Sequence, residues 1–352
     1  MQKKVKILYF DMPLDPPGGG QISLFYLLIN LNRTKFDLRV ILPYSCEFEK
    51  WLKTENINVK ITNNYFAEIK NFHPDIVHCN SATTKHSFLL AVLSKILNVP
   101  FVWHNRVLDT AGWKEKLIAL LSTKIIVISD EVGNKFSWTK KRNKIVKIYN
   151  AIDFKRFISL VQPELLRAEF GIKLEQKIVG IFSRLVSRKG HKLFFDAAKM
   201  IVESRRENLD VVFLVVGDGD KRYKEELLDY VNKLGIKEKV IFTGFRKDVS
   251  RLMNLCDVIV NPSVEPEAFG RTIVEGMACG KVVIATDIGG PKEIITDGVD
   301  GYLIAPVAKE LCEKTINILL NKNLYTKISN NATNTVKNKF SVEKQTDLVE
   351  NL

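Results

Sequence analysis

The sequence has few cysteines and no long hydrophobic run. Its five cysteines are scattered over 352 residues without C-x-x-C spacing, which argues against a zinc site and predicts reduced thiols in the cytoplasm. The longest apolar runs, such as VVFLVVG, have the length of a strand, whereas a bilayer span needs about 18 apolar residues. The N-terminal run ends at Asp11 without a cleavage site, so it predicts a first strand and not a signal peptide. We therefore expect a cytoplasmic globular protein.

Acidic residues are scarce in the first half of the chain. The net charge is +13; residues 1–160 hold 24 Lys and Arg against 13 Asp and Glu, whereas residues 161–352 hold 29 against 27. Positive charge concentrated in one half indicates an anionic partner, such as a membrane surface, a phosphate-bearing acceptor or nucleic acid. A solvated basic face is the alternative.

Short apolar runs alternate with amphipathic helical stretches along the whole chain. The predicted strands lie at 4–10, 38–42, 75–79, 100–104, 124–129 and 144–149, and then at 177–183, 210–217, 239–244, 257–263, 281–287 and 301–305. Strands that are apolar on both faces and separated by helices form parallel sheets covered on both sides. Two sets of six predict an α/β fold of two doubly wound domains. We place these domains at 1–160 and 161–338, with a C-terminal helix at 339–352 that is expected to pack back across the seam.

Residues that directly follow strands are the first candidates for ligand binding, because ligands of open parallel sheets bind beyond the carboxyl ends of the strands. Three glycines at 18–20 follow the first strand and precede a helix, where free N–H groups favour anionic groups. Their spacing is not G-x-G-x-x-G, so a dehydrogenase-type dinucleotide site is poorly supported. Arg184 and Lys189 bracket the loop after another strand; they suit a diphosphate, unless they are solvated surface cations.

Glu267 and Glu275 lie eight positions apart in EAFGRTIVE. The segment predicts a loop leading into a short helix that begins near Arg271 or Thr272 and ends at Gly280. Glycoside hydrolases hold two carboxyls about 5–5.5 Å or about 6.5–9.5 Å apart, and this spacing could meet either distance. The loop that carries Arg184 and Lys189 has no role in glycoside hydrolysis, whereas the hydroxyls of a sugar or ribose need hydrogen-bond acceptors. The context therefore favours recognition of hydroxyls by the two glutamates.

Seven motifs follow one another in the order typical of one enzyme family. They are GGG at 18–20, HN at 104–105, YNAIDFKRF at 149–157, RLVSRKGH at 184–191, VVGDGD at 215–220, GFRKDV at 244–249, and E-x7-E at 267–275 with GMACGKVVIATDIGGPKEII directly after Glu275. Together they cover nearly the whole chain, which closely resembles the retaining GT-B nucleotide-sugar glycosyltransferases of the glycogen-synthase-like superfamily, of the family 4 type. The resemblance implies two Rossmann-like domains that face each other across a cleft, the first for the acceptor and the second for the donor.

The resemblance also implies a role for each matched position of the second domain. Arg184 and Lys189 would neutralise the donor diphosphate in place of a metal. Glu267 would bind the hydroxyls of the donor sugar, and Glu275 those of the ribose. Backbone groups would receive the sugar and phosphate oxygens at Phe269, Gly270, Arg271 and Thr272, and the base at Phe245 and Arg246.

Three matched positions lie in the first domain. Gly19 and Gly20 would close over the diphosphate, and His104 would lie against the donor sugar near the reacting carbon. The implied catalytic set is His104, Arg184, Lys189 and Glu267. Transfer would proceed with retention and without an obvious nucleophile, because the leaving phosphate itself takes the acceptor proton; catalysis would rest on positioning and on stabilising the diphosphate.

Some positions depart from the family pattern or suggest other sites. Ser183 stands where Gly is frequent before the Arg of the loop, and Gly276 stands where Ala is common after the second glutamate. The D-x-D of Asp218 and Asp220 has the spacing of a metal site, but we interpret Asp220 as a helix N-cap. The five histidines are too dispersed for a ligand set, and we expect His78 to lie in the core. No metal or other cofactor is therefore expected.

Two lysine-rich segments with tryptophans, 112–124 and 137–147, could lie on an anionic membrane. An ordinary helix that buries its apolar face against the sheet is the alternative. On the first interpretation the enzyme is peripheral at the inner face of the membrane.

The sequence thus predicts a transferase that moves a sugar from a nucleoside-diphosphate sugar, with UDP favoured, to a glycan or lipid-linked acceptor in the synthesis of cell-surface polysaccharide or glycolipid. A GT-B nucleotide-sugar 2-epimerase and a catalytically silent nucleotide-sugar binding protein are the alternatives. A nucleic-acid partner would explain the charge but leaves the glutamates and glycines without a role.

Overall fold

The computed structural model describes residues 3–82, 84–109, 112–139, 142–157, 163–206 and 209–352. The chain divides into two compact units, one of Met1–Ile152 with Val342–Leu352 and the other of Asp153–Ser341. The predicted boundary between 160 and 161 lies outside the described residues. The C-terminal helix predicted at 339–352 spans Val342–Glu350 and belongs to the first unit.

The first unit is built on a parallel sheet of seven strands. These are β1 (Val5–Phe10), β2 (Phe36–Leu42), β3 (Asn58–Ile61), β4 (Ile76–Cys79), β5 (Phe101–Asn105), β6 (Lys124–Val127) and β7 (Ile145–Lys147), in the order β3-β2-β1-β4-β5-β6-β7. The helices are α1 (Gly19–Asn30), α2 (Glu47–Thr54), α3 (Tyr65–Phe72), α4 (Lys85–Ile96), α5 (Gly112–Leu121) and α6 (Asp130–Asn134), together with the C-terminal helix named below.

The second unit has a parallel sheet of six strands. These are β8 (Lys177–Phe182), β9 (Val211–Val216), β10 (Val240–Gly244), β11 (Val258–Asn261), β12 (Val282–Thr286) and β13 (Tyr302–Ile304), in the order β10-β9-β8-β11-β12-β13. Its helices are α7 (Pro163–Glu169), α8 (His191–Glu203), α9 (Lys221–Lys233), α10 (Val249–Leu255), α11 (Arg271–Ala278), α12 (Pro291–Ile294), α13 (Ala308–Leu320) and α14 (Lys322–Lys339). The C-terminal helix α15 (Val342–Glu350) returns to the first unit.

Both sheets are covered on both faces, as their apolar strands require. Every residue of β9, from Val211 to Val216, is buried, and the inward faces of α8 and α13 complete that core with Phe194, Phe195 and Leu311. The prediction of two doubly wound α/β domains is confirmed. Among the described residues, no helix combines the length and the hydropathy that crossing a bilayer requires.

In each sheet, the direction in which successive strands are added reverses once, and a ligand is expected at that reversal. The chain moves outward from β1 to β3 and then starts again at β4, and likewise from β8 to β10 and again at β11. Ligands of open α/β sheets bind at such switch points, outside the carboxyl ends of the strands. The residues after β1 and β4, and after β8 and β11, are therefore the first places to look for a site.

Candidate active site

Two predicted residues meet at the switch point of the second unit. Lys189, in the loop after β8, forms an ion pair with Glu267, in the loop after β11. Both side chains are largely buried, with 17% and 10% exposed, and the Ser263 hydroxyl donates to the same carboxylate oxygen at 2.6 Å. Burial alone would raise the pKa of Glu267, but the charge and hydrogen bond of Lys189 and the bond from Ser263 hold it below its usual value. The carboxylate is therefore ionised and oriented, with its other oxygen making no hydrogen bond among the described residues.

A glycine places Lys189 in this position. Gly190 has a φ of +70°, and a Cβ at that residue would overlap the backbone carbonyl oxygen of Pro262, which follows β11. The Val264 amide also donates to the Arg188 carbonyl at 2.9 Å. The loops after β8 and β11 are thus packed backbone against backbone, and only glycine fits between them.

The second glutamate lies on a helix, as predicted. Helix α11 begins at Arg271 after Gly270, whose φ is +104°, and Gly280 has the positive φ of +67° expected just after its end. The Glu275 carboxylate accepts from Arg271 Nε at 2.6 Å. Burial raises the pKa of Glu275, and Arg271 offsets part of that rise. A buried carboxylate with one charged partner is ready to accept hydrogen bonds from hydroxyl groups.

Two glycines that sequence reasoning did not single out hold the segment 267–270. Gly289 would bring a Cβ to 2.6 Å from the Glu267 carbonyl oxygen, and the Gly290 amide donates to that oxygen at 2.8 Å. Phe269 is buried and packs edge-on against Phe340, with ring centroids 5.7 Å apart. The signal available in the sequence was the glycine pair directly after a predicted strand.

The remaining predicted residues of the second unit differ in their surroundings. The Arg184 side chain is exposed and makes no hydrogen bond or ion pair within the described part of the chain. Phe245, just after β10, has 54% of its surface exposed. The Arg246 side chain forms ion pairs with Asp248 and Glu169, and its Nε donates to Asp248 at 2.8 Å. Thr272 accepts from Asn261 Nδ2 at 3.1 Å.

The D-x-D motif has a structural role in this unit. Asp220 caps α9, accepting from the Tyr223 amide at 3.0 Å, as predicted. A Cβ at Gly217 or Gly219 would overlap the carbonyl of Ser183 or Leu185, so both glycines allow the loops after β8 and β9 to approach closely. Within the described ranges, no group of three or more His, Cys, Asp or Glu side chains is placed to hold a metal ion.

In the first unit, the glycine turn is followed by a polar cluster at the switch point. Gly19 and Gly20 begin α1, and the Gln21 side chain accepts from the Gly18 amide at 2.8 Å. Asp11, after β1, accepts from the side-chain amide of Asn80, after β4, at 3.0 Å. Burial raises the pKa of Asp11 to about 6, against the lowering effect of Asn80 and Arg106. Sequence reasoning missed this cluster.

His104 is the penultimate residue of β5 and is fully buried. Its Nδ1 lies 3.3 Å from His78 Nε2 and 3.3 Å from Arg106 Nη2. Burial, with the charges of Arg106 and His78, holds the pKa of His104 well below its usual value, so the ring is neutral. His78 is in the core as expected, stacked on Tyr9 with ring centroids 4.6 Å apart. The predicted contact of His104 with a donor sugar stays a prediction.

Comparison with known proteins places this fold and these motifs in a family. Residues 162–335 match the family model described as Glycosyl transferases group 1. The chain is 27% identical to UDP-Gal:alpha-D-GlcNAc-diphosphoundecaprenol alpha-1,3-galactosyltransferase of Escherichia coli, over 99% of this chain and 96% of that protein. It is 31% identical to an uncharacterised glycosyltransferase of Methanocaldococcus jannaschii, over 66% of this chain; it thus spans 62%, less than two thirds, of that relative.

Solved structures agree with these relatives. HepE of Anabaena in complex with UDP superposes with a TM-score of 0.87 at 26% identity over 99% of both chains, and its complex with UDP-glucose with a TM-score of 0.85 at 28% identity over 98% of both. The fold is therefore of the GT-B class. Residues 162–335 form a group 1 glycosyltransferase domain and the two sheets have the GT-B fold, which confirms the predicted resemblance to GT-B glycosyltransferases.

Proposed function

We propose that the protein transfers a sugar, with retention of configuration and without a metal, from a UDP-sugar to a glycan or lipid-linked acceptor. The observation that carries this proposal is the arrangement at the second switch point, where an ionised Glu267 is paired with Lys189 and a second buried carboxylate lies on α11. The choice of UDP is supported by the structures of HepE in complex with UDP and with UDP-glucose. The acceptor class is supported by the E. coli relative, which is named for a diphosphoundecaprenol substrate.

Each side chain then has a distinct task. Arg184 is exposed and unpaired within the described residues, so it has its full donor set for a diphosphate. Lys189 adds a second positive charge, part of which Glu267 already balances. Glu267 has one oxygen occupied by Lys189 and Ser263, which leaves the other for sugar hydroxyls. Glu275 accepts from ribose hydroxyls. The base lies near Phe245 and the backbone of Arg246.

The reaction requires no group of the protein to accept a proton. The bond between the anomeric carbon and the phosphate oxygen breaks, its electron pair stays on the leaving phosphate, and the acceptor oxygen bonds to that carbon on the same face. The acceptor proton passes to the leaving phosphate oxygen. The two cations stabilise the charge that develops on the diphosphate, which is the effect of an electrostatic site. The assignments of Gly19, Gly20, His104 and the backbone from Phe269 to Thr272 rest on the family resemblance.

The proposal includes peripheral binding to the cytoplasmic membrane surface through the first unit. Helix α5 buries Ile118 and Ala119 but leaves Trp113 and Leu120 with 65% and 58% of their surfaces exposed. Lys114 Nζ lies 5.7 Å from the centroid of the Trp113 ring. Exposed apolar side chains accompanied by lysines suit an anionic lipid surface. Residues 140 and 141 of the second lysine-rich segment lie outside the described residues.

The experiment that tests the function is nucleotide release from a panel of UDP- and GDP-sugars in the presence of EDTA. We expect release from one UDP-sugar, and a loss of about 10- to 100-fold in kcat/KM for Glu275→Ala and Glu275→Gln, because a charged hydrogen bond of about 1.5–3 kcal/mol is removed. Glu265→Ala is the matched control, since Glu265 is an exposed glutamate two residues before Glu267; we expect it to keep full activity.

Other outcomes separate the alternatives. Activity that EDTA abolishes and manganese restores would overturn metal independence. An epimerised sugar formed without acceptor identifies an epimerase. No nucleotide release from any sugar of the panel, together with a nucleotide-induced thermal shift, identifies a binding protein. No release and no thermal shift rejects the proposed transferase function.

A further inference from the structure

Arg106 connects residues at the carboxyl ends of four strands of the first unit. Its Nε donates to Asn80 Oδ1 at 2.7 Å, after β4, and Asn80 in turn donates to Asp11, after β1. Its Nη1 donates to Asn150 Oδ1, after β7. Its Nη2 lies 3.3 Å from Nδ1 of His104, near the end of β5. One guanidinium therefore ties together the carboxyl edge of this sheet.

The same contacts determine where the proton of His104 lies. A guanidinium has only N–H donors, so Nδ1 of His104 must act as an acceptor toward Arg106 Nη2. His78 Nε2, at 3.3 Å from that nitrogen, is then a second donor. The proton of the neutral His104 ring is consequently on Nε2. This atom is buried and has no hydrogen-bond partner within the described residues.

A buried N–H without a hydrogen-bond partner destabilises a protein, so its presence calls for an explanation such as a bound ligand. Further buried polar atoms without a partner in the described residues lie just after β1 and β4, at the end of β5 and on the first turn of α1: Asp11 Oδ2, Ser81 Oγ, Asn105 Nδ2 and Gln21 Nε2. Such a concentration at the switch point of a sheet is typical of a site whose ligand is a polar molecule.

Arg106 also contacts the glycine turn. A Cβ at Gly20 would lie 3.4 Å from Arg106 Cδ, so the aliphatic part of the arginine packs against the start of α1. The Asn80 side-chain amide is 3.5 Å from the Gly20 carbonyl oxygen. Arg106 thus links the glycine turn to His104. The glycine turn and His104 are both predicted from the sequence, whereas Arg106 is not.

We propose that Arg106 is a positioning residue: it fixes His104 as a neutral imidazole protonated on Nε2, and so makes His104 a hydrogen-bond donor to an oxygen of a polar ligand and not a general base. The tautomer follows from the geometry alone. That the ligand is a substrate of glycosyl transfer rests on the proposed function.

The test is the tautomeric state of His104 in the intact protein labelled with 15N-histidine, read from the ring nitrogens by two-bond 15N–1H correlation. His104→Gln identifies the signals. We expect a protonated Nε2 and an unprotonated Nδ1 in the wild type at neutral pH, the same state in Arg106→Lys, which keeps a donor, and a change of tautomer or a mixture in Arg106→Met. An Nδ1–H tautomer or an imidazolium in the wild type would overturn the proposal, even if Arg106→Met fails to fold.

Kinetics test the second half of the proposal. For Arg106→Met we expect kcat for nucleotide release to fall by about 10- to 100-fold, the loss typical of misplaced catalytic groups, with partial rescue in Arg106→Lys. Arg222→Met, on the exposed face of α9, makes the same change of charge without an effect. Wild-type kinetics in Arg106→Met together with an altered tautomer would refute the role in transfer. If the wild type releases no nucleotide, the proposed function fails while the tautomer remains measurable.

Discussion

At the residue scale, Lys189 and Glu267 cannot be treated as independent. Their ion pair is largely buried, and removing one partner of a buried pair leaves an uncompensated charge, which destabilises a protein by about 3–5 kcal/mol. A Lys189 variant therefore loses the positive charge near the diphosphate and also the orientation of the Glu267 carboxylate. Loss of activity in such a variant therefore measures both effects together.

Gly190 allows a sharper test at this scale. We expect Gly190→Ala to lower the free energy of unfolding by more than about 3 kcal/mol, because the new Cβ meets the Pro262 carbonyl and the residue has a φ of +70°. Gly235→Ala is the matched control, since Gly235 has a φ of +71° with nothing within 4 Å of a Cβ, and its cost is the backbone strain of about 1–2 kcal/mol. Urea unfolding measures both, and equal losses would show that the contact between the two loops is not rigid.

At the scale of elements, α15 is separated in sequence from the unit that it completes. Val342 is part of the core of the first unit. The Gln345 side chain donates to the Tyr149 carbonyl at 2.8 Å, and Glu350 accepts from the Asn32 amide at 2.8 Å. These contacts cover the end of α1 and the segment after β7.

A variant that stops after Ser341 tests the contribution of this helix. We expect faster amide hydrogen exchange in α1 and around Tyr149, and unchanged protection in α8 and β9, because only the first unit loses buried surface. A variant with Glu343→Ala in the intact chain, which changes an exposed position of the same helix, serves as the control. Uniform loss of protection in both units would contradict the assignment of α15 to the first unit alone.

At the scale of the whole molecule, the uneven charge leads to a prediction about membranes. The wild type should float with vesicles that contain anionic lipid at low salt and not with neutral vesicles, because each lysine near the surface contributes about 1 kcal/mol and salt screens this attraction. The double variant Trp113→Ser, Leu120→Ser should bind less. Leu174→Ser, at a leucine with 73% of its surface exposed in the second unit, should behave like the wild type. Absence of binding at low salt would reject the membrane proposal.

The fold could be predicted largely from the sequence because strands buried on both faces are apolar throughout. The exception is β3, whose sequence NVKI alternates and whose residues are mostly exposed, as suits a strand at the edge of the sheet. The residues of the second switch point were found because they lie in fixed motifs. Asn80 and Arg106 were not, since they are single polar residues far apart in sequence that only the order of strands β1, β4 and β5 brings together.

The division of the chain has a consequence for biosynthesis. Residues up to Ile152 emerge from the ribosome first, yet their unit also contains Val342–Leu352, which is translated only after the whole of the second unit. Domains commonly fold in the order in which they are synthesised, but here the later unit has all its residues before the earlier one. The surface of the first unit that α15 covers therefore stays exposed until the second unit has been synthesised. During that interval it is the part of the chain that a chaperone would bind.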